Sequence, residues 1–277
     1  MPDEEVVLTE RRESVMLVTL NRPKYRNAQN SAMLYALERA FHEAAMDDEV
    51  RVIVLRGAGP SFSAGHDMGS PGRDVDVSYE RMTMWPDHVG KPGIESRLLR
   101  EQEVFIELCR RWREIPKPTV AMVHGACVAG GLMLAWVCDL IIASEDAFFS
   151  DPSVGQGGGG VEWFAHPYQM SPRHAKEFLF LGERVSAQRA FEIGMINRVV
   201  PTDQLEAATM EIAERIAKAP PFGIRAAKRN INFAEDAMGL RTTIEHAFGW
   251  HQLIHAYGEA TRESASDAGK DAKPGKD

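Results

Sequence analysis

Residues 117–139, KPTVAMVHGACVAGGLMLAWVCD, hold the chain's most chemically suggestive spacing. The apolar run Thr119–Val123 reads as a buried strand, Gly125, Gly130 and Gly131 as a turn, and the residues after them as an apolar helix start. A strand that passes through glycines into a helix N-terminus makes a backbone cradle for negative charge. Glycine lets a ligand approach the main chain, and the first helical N–H groups have no intrahelical partner. The spacing Gly125-x4-Gly130 matches half of a P-loop, but Gly131 and Leu132 stand where Lys and Ser/Thr must follow. No G-x-G-x-x-G lies within the segment, which removes the dinucleotide fingerprint there. The segment therefore predicts an anion or oxyanion site made of backbone N–H groups.

A second small-residue turn, PSFSAGHD at residues 60–67, follows another strand after only Arg56-Gly57-Ala58-Gly59. Two such turns behind two strands are what a two-donor oxyanion hole requires, each turn aiming one fixed N–H at a single oxygen.

The elements that must hold these turns alternate. Runs at 15–20, 52–55, 119–123, 140–143 and 196–200 read as strands. Met33, Leu34, Leu37 and Phe41 follow helical spacing behind the capping residues Asn30 and Ser31, and a helix is expected through 103–112. This alternation predicts an α/β core over residues 1–200. Beyond Pro201 the pattern turns helical, at 205–219, 224–233 and 243–257, which predicts a C-terminal helical region over 201–257 that packs on a neighbouring subunit. Residues 258–277 have almost no apolar side chains and are expected to be a disordered tail. Residues 69–94 are rich in glycine and proline at their ends, with Met82, Met84 and Trp85 between, and are expected to form a lid over an apolar ligand.

Composition narrows the function classes. The chain has 277 residues and a formal charge of −8, and it carries no Lys/Arg-rich run, which argues against a nucleic-acid partner. Its acidic N-terminus lacks an apolar signal core and no run of 18 apolar residues occurs, so a soluble, cytoplasmic protein without membrane attachment is expected. Cys109, Cys127 and Cys138 are odd in number, show no C-x-x-C spacing and fit small buried hydrophobes in a reducing compartment. The histidines show no H-E-x-x-H or Cys/His spacing, so no metal is expected.

Five ordered blocks, NRPKYRNAQN, FSAGHD, KPTVAMVHGACVAGG, CDLIIASEDAFFSDP and LGERVSAQRAFEIGMINRVV, make the chain resemble the enoyl-CoA hydratase/isomerase (crotonase) family over roughly residues 5–235. The resemblance implies a spiral of ββα units with a C-terminal helical trimerisation region, and a homotrimer or dimer of trimers. It implies an acyl-CoA thioester as partner, with coenzyme A as part of the substrate and no separate cofactor. On that pattern the backbone N–H groups of His66 and Gly130 hold the thioester oxygen. Lys24, Tyr25 and Arg26 lie where the family contacts the CoA nucleotide, and Ala64 where it contacts adenine.

The chain departs from the pattern where protons are handled. The family's two hydratase glutamates fall on Met133 and Ser153, and neither side chain replaces a carboxylate. Glu162 is a candidate acid/base, its alternative a polar loop residue. Asp151 is another, its alternative an Asx turn. Asp67 reads as a turn carboxylate near the CoA path rather than a catalyst. His66 is expected to act through its N–H rather than its imidazole, His124 as a core histidine, and His166 as a weaker acid/base. Met133 and Trp163 are expected to supply apolar wall to the acyl site. Hydration of an enoyl-CoA is the expected activity. Isomerisation or hydrolysis by another carboxylate, and a CoA-thioester-binding protein without catalysis, are the alternatives.

Overall fold

The structure is a computed structural model that describes residues 5–271. The apolar runs pair into a six-stranded sheet ordered β1-β2-β3-β4-β6-β9, and short strands make a second sheet ordered β5-β7-β8. In chain order the strands are β1 (Val7–Arg12), β2 (Val15–Leu20), β3 (Val52–Gly57), β4 (Thr119–Val123), β5 (Ala126–Val128), β6 (Leu140–Ser144), β7 (Phe148–Ser150), β8 (Val185–Ser186) and β9 (Arg198–Val200). In the larger sheet only the β1–β2 pair is antiparallel. Parallel pairing needs a crossover between neighbours, and helices supply it.

The helices are α1 (Ser31–Met46), α2 (Gly93–Glu101), α3 (Leu108–Arg113), α4 (Gly130–Trp136), α5 (His166–Gln169), α6 (Pro172–Leu181), α7 (Ala187–Glu192), α8 (Leu205–Ala217), α9 (Pro221–Ala237) and α10 (Leu240–Asp271). α1 starts where the sequence predicts. The Asn30 side chain accepts from the Met33 N–H, and the Asp74 carboxylate accepts from the N–H groups of Ser31 and Ala32.

Side chains on successive strand residues point to opposite faces, so a strand apolar throughout must be covered on both sides. Val18, Leu20, Ile53, Leu55, Ala121 and Val123 join the main core with Met33, Leu34, Leu37 and Phe41 of α1. Val15, Leu17, Val52, Val54, Val120 and Ile142 pack instead with Leu205 and Ala213 of α8. α8 therefore belongs to the sheet's packing, not to an appendage beginning at residue 201. Of the two helices that follow, α9 has no buried residue, whereas α10 places Leu240, Ile244 and Phe248 in the main core.

Two further expectations change. The single helix expected through 103–112 is α2 joined to α3 by a π-helical turn at Gln102–Glu107. The tail expected to be disordered from residue 258 instead continues α10 to Asp271. Adding a residue to a formed helix needs no new nucleus, so few apolar residues do not end it. Residues 272–277 lie outside the described residues.

The segment expected to be a lid is pinned rather than loose. Asp74 caps α1, Tyr79 donates to Asp74, and Glu103 in the π turn accepts from the Met82 N–H and pairs with Arg81. Its apolar centre splits, because Met82 packs on the core while Met84 and Trp85 are exposed.

Candidate active site

The two glycine-bearing turns meet through the backbone. The Ser63 N–H donates to the Ala126 carbonyl and the Val128 N–H to the Ser63 carbonyl, which stitches PSFSAGHD onto β5. Gly65 has φ +95°, and a Cβ there would sit 2.8 Å from the Val128 oxygen and 3.2 Å from the Gly130 nitrogen. Only a residue without a side chain lets the cradles approach this closely. Gln29, which sequence reasoning passed over, frames the junction. Its N–H donates to the Gly65 carbonyl, its carbonyl accepts from the Asp67 N–H, and its side-chain amide reaches Ser63 Oγ.

At this junction the N–H groups of His66 and Gly130 donate to no acceptor among the described residues, which leaves both for a ligand. The His66 ring lies over Gly130: a Cβ at Gly130 would be 2.5 Å from His66 Cε1 and 2.7 Å from its Nδ1. The other ring nitrogen, Nε2, is 2.9 Å from Glu162 Oε2. Phe105 of the π turn packs on the ring with centroids 4.1 Å apart. A π turn shifts the residues that follow it around the helix axis, a device common at functional sites.

Glu162 is buried. Burial alone would raise its carboxyl, but the His66 imidazole and then His251 hold it well below the usual carboxylate range. The ionised Glu162 carboxylate accepts from the His66 Nε2–H. Nδ1 is buried and has no hydrogen-bond partner. The arrangement is a carboxylate–imidazole dyad whose free nitrogen borders the two unpaired N–H groups. His66 was expected to serve through its backbone alone; its imidazole is in fact held in place by the carboxylate singled out as a candidate acid/base.

Other candidates fall elsewhere. Asp151, considered as an acid/base, is fully buried and committed to the Ser153 N–H, the Val161 N–H and His166 Nε2. It is an Asx-turn carboxylate that ties the glycine run 157–160 to β7. Burial would raise its pKa, yet the His166 and Ser153 hydrogen bonds leave it lowered. A lowered folded pKa stabilises above the unfolded value and is lost as pH falls. Asp151→Asn is therefore expected to lower Tm at neutral pH, with the gap to wild type closing below about pH 4. Thermal melts across pH check this, and a gap that stays constant down to about pH 3 would contradict it.

Asp67 likewise serves the loop and not a ligand. Its carboxylate accepts from Arg22 at 2.9 Å and from the N–H groups of Gly69 and Ser70. Met133 and Trp163, expected as acyl-site wall, are buried members of the main core. His166 is caged by Trp136, Phe164 and Phe178 beside Asp151, and so is removed from the dyad. His124, expected as a core histidine, is only half-buried, and its Nε2 donates to the Gly59 carbonyl at 2.8 Å. Lys24, Tyr25 and Arg26 form an exposed rim, with Arg22 over the Tyr25 ring, and the Ala64 N–H donates to the Arg26 carbonyl.

Sequence reasoning singled out no residue of α10, but His251 reaches Glu162 Oε1 at 3.2 Å. The signal available was the spacing His251-x3-His255, which places both rings on one helix face.

The fold that carries these turns recurs in known proteins. The family model described as enoyl-CoA hydratase/isomerase matches residues 10–83 and 95–259. The chain belongs to the enoyl-CoA hydratase/isomerase family. It is 45% identical over 258 residues to a protein named putative enoyl-CoA hydratase EchA13 of Mycobacterium tuberculosis, covering 89% of this chain and 79% of that protein. It is 32% identical to a short-chain-enoyl-CoA hydratase of Clostridium acetobutylicum, over 95% of this chain and 92% of the relative. The crystal structure of a probable enoyl-CoA hydratase from Mycobacterium smegmatis superposes with a TM-score of 0.84 at 41% identity. That match covers 93% of this chain and 97% of the other. The fold is thus the crotonase-type α/β fold with a helical C-terminal region.

Proposed function

We propose that the chain hydrates a 2-enoyl thioester of coenzyme A, using the His66–Glu162 dyad where the family pattern has two glutamates. The observation that carries this reading is the buried, unpartnered Nδ1 of His66 beside the unpaired N–H groups of His66 and Gly130. The names of the relatives, enoyl-CoA hydratases among them, support the substrate class.

The chemistry follows from the positions. The thioester oxygen accepts from the two N–H groups, so electron density from the double bond can move onto it as an enolate. Water oxygen bonds to Cβ while His66 Nδ1 takes the departing proton, and Glu162 stabilises the imidazolium formed. The enolate then collapses as the same proton is returned to Cα, which balances as addition of one water. The exposed Lys24, Tyr25 and Arg26 are suited to the CoA nucleotide, with Ala64 beside them. Coenzyme A then enters as part of the substrate, without a further cofactor.

A second reading has a specific basis. One dyad in place of two carboxylates suffices for isomerisation, in which His66 removes a proton from one carbon of the acyl chain and returns it to another. Incubation with crotonyl-CoA and longer 2- and 3-enoyl-CoAs, followed by mass spectrometry, separates the two. A mass gain of water supports hydration, and an isobaric shift of the double bond supports isomerisation. If no CoA thioester is consumed, and none raises Tm, both readings fail.

Assembly is part of the proposal. Phe180, Phe233, Trp250 and Tyr257 on α6, α9 and α10 are large, exposed side chains, and they supply the apolar faces a homotrimer or dimer of trimers would bury. Light scattering on the purified protein is expected to give three or six chains; a monomer would overturn it. No helix among the described residues is long and apolar enough to cross a membrane. The three free cysteines fit a cytoplasmic location.

A further inference from the structure

We propose that Glu101, His251 and His255 form a binding site for a divalent transition metal, with zinc the best fit. The proposal stands independently of the reaction assigned above. The ligating atoms of these three residues all lie within 4.8 Å of one another. His251 Nε2 is 3.1 Å from His255 Nε2 and 3.5 Å from Glu101 Oε2. At zinc–nitrogen and zinc–oxygen bond lengths, ligand atoms on a tetrahedron are roughly 3.3 Å apart, so these separations bracket the required spacing.

The proton count points the same way. His251 Nε2 faces three acceptors at once: His255 Nε2, Glu101 Oε2 and Glu162 Oε1. One N–H can satisfy one of them well, whereas a cation at the centre satisfies the nitrogens and the Glu101 oxygen together. Two buried carboxylates, Glu101 and Glu162, converge there, and negative charge that is partly removed from water favours a divalent ion. Glu162 Oε2 remains with His66, so the dyad is not a ligand of the site.

The surroundings have the character of a supporting shell. Gln252 Nε2 donates to Glu101 Oε2 at 2.6 Å, and Arg97 Nε in turn donates to Gln252 Oε1 at 3.2 Å. Outer hydrogen bonds of this kind fix the orientation of ligating groups. The two histidines are one helical turn apart on α10, as in helical zinc motifs, and His255 is exposed, which gives an ion a way in. Two imidazoles and one carboxylate suit zinc rather than magnesium or calcium, and leave a fourth position for water. The expectation of no metal came from local spacing, and it could not see a third ligand brought by α2 from far away in the chain.

The test uses the tag-free full-length protein, stripped with chelator, dialysed against zinc sulfate and then against metal-free buffer. Elemental analysis is expected to find one zinc per chain, and zinc is expected to raise Tm while magnesium does not. His255→Ala changes an exposed residue and should fold normally, yet weaken zinc binding by more than about tenfold. Glu101→Gln should do the same. Wild-type protein that retains no zinc overturns the proposal, as does a His255→Ala protein that retains zinc as tightly as wild type.

Discussion

His66→Gln is expected to lower kcat for a 2-enoyl-CoA by roughly 100- to 10,000-fold, the range of a general acid–base group, with little change in substrate affinity. The substitution keeps the backbone N–H that serves the oxyanion hole and removes only the imidazole. It therefore separates the two jobs assigned to one residue. Glu162→Gln should fall by a similar factor for a different reason. A glutamine amide can donate to His66 Nε2, which drives the ring proton to Nδ1 and removes the base the proposed mechanism uses. Steady-state kinetics on both variants check this, alongside acyl-CoA binding by calorimetry. Wild-type turnover in either variant would remove the dyad from the mechanism and leave the two N–H donors as the remaining catalytic feature.

The second large effect is expected from Gly65→Ala. The methyl group would meet the Val128 oxygen at 2.8 Å, in a backbone conformation with φ +95° that side chains disfavour. Relief requires the FSAGHD turn to move away from β5, which separates the His66 N–H from the Gly130 N–H. Loss of one donor's alignment costs about 100- to 1,000-fold in kcat. The strain itself costs about 1–3 kcal/mol of stability, so Tm should fall as well. Gly69→Ala is the control, because no atom lies within 4 Å of a Cβ there. Equal activity in the two variants would mean that the cradles do not need this close approach.

These predictions bear on how an intact fold tolerates the loss of the family's usual carboxylates. Met133 sits where the first is expected and is buried in the main core, and the buried Ser153 Oγ has no hydrogen-bond partner. Neither side chain is a carboxylate. The proposed oxyanion hole would not depend on them, since its donors are main-chain groups whose placement is fixed by strand pairing and by Gly65. Proton handling is carried by side chains, so it can be moved to another pair of residues that the same backbone brings together.

Much of this was legible in the chain itself. Strand periodicity gave the runs at 15–20 and 119–123 with the observed bounds, Asn30 marked the start of α1, and the two glycine turns are the segments that meet at the junction. These are local signals, carried by neighbouring residues and by the stereochemistry of glycine. β5, β7 and β8 escaped notice because strands of two or three residues have no period to read. The roles of the polar residues were not legible. Glu162 and Asp151 were both candidates by type and position, Glu162 the favoured one, and only packing gave Asp151 to two backbone amides and His166 while it gave Glu162 to His66. His251 lies on a helix whose sequence indicates only an outer face, and it reaches the site because α10 packs back against α2. The sequence determined the fold and where the two glycine turns lie, because both follow from main-chain geometry. The tertiary structure alone decided that Glu162 meets His66 and Asp151 meets His166, because a side chain's partners lie far away in sequence.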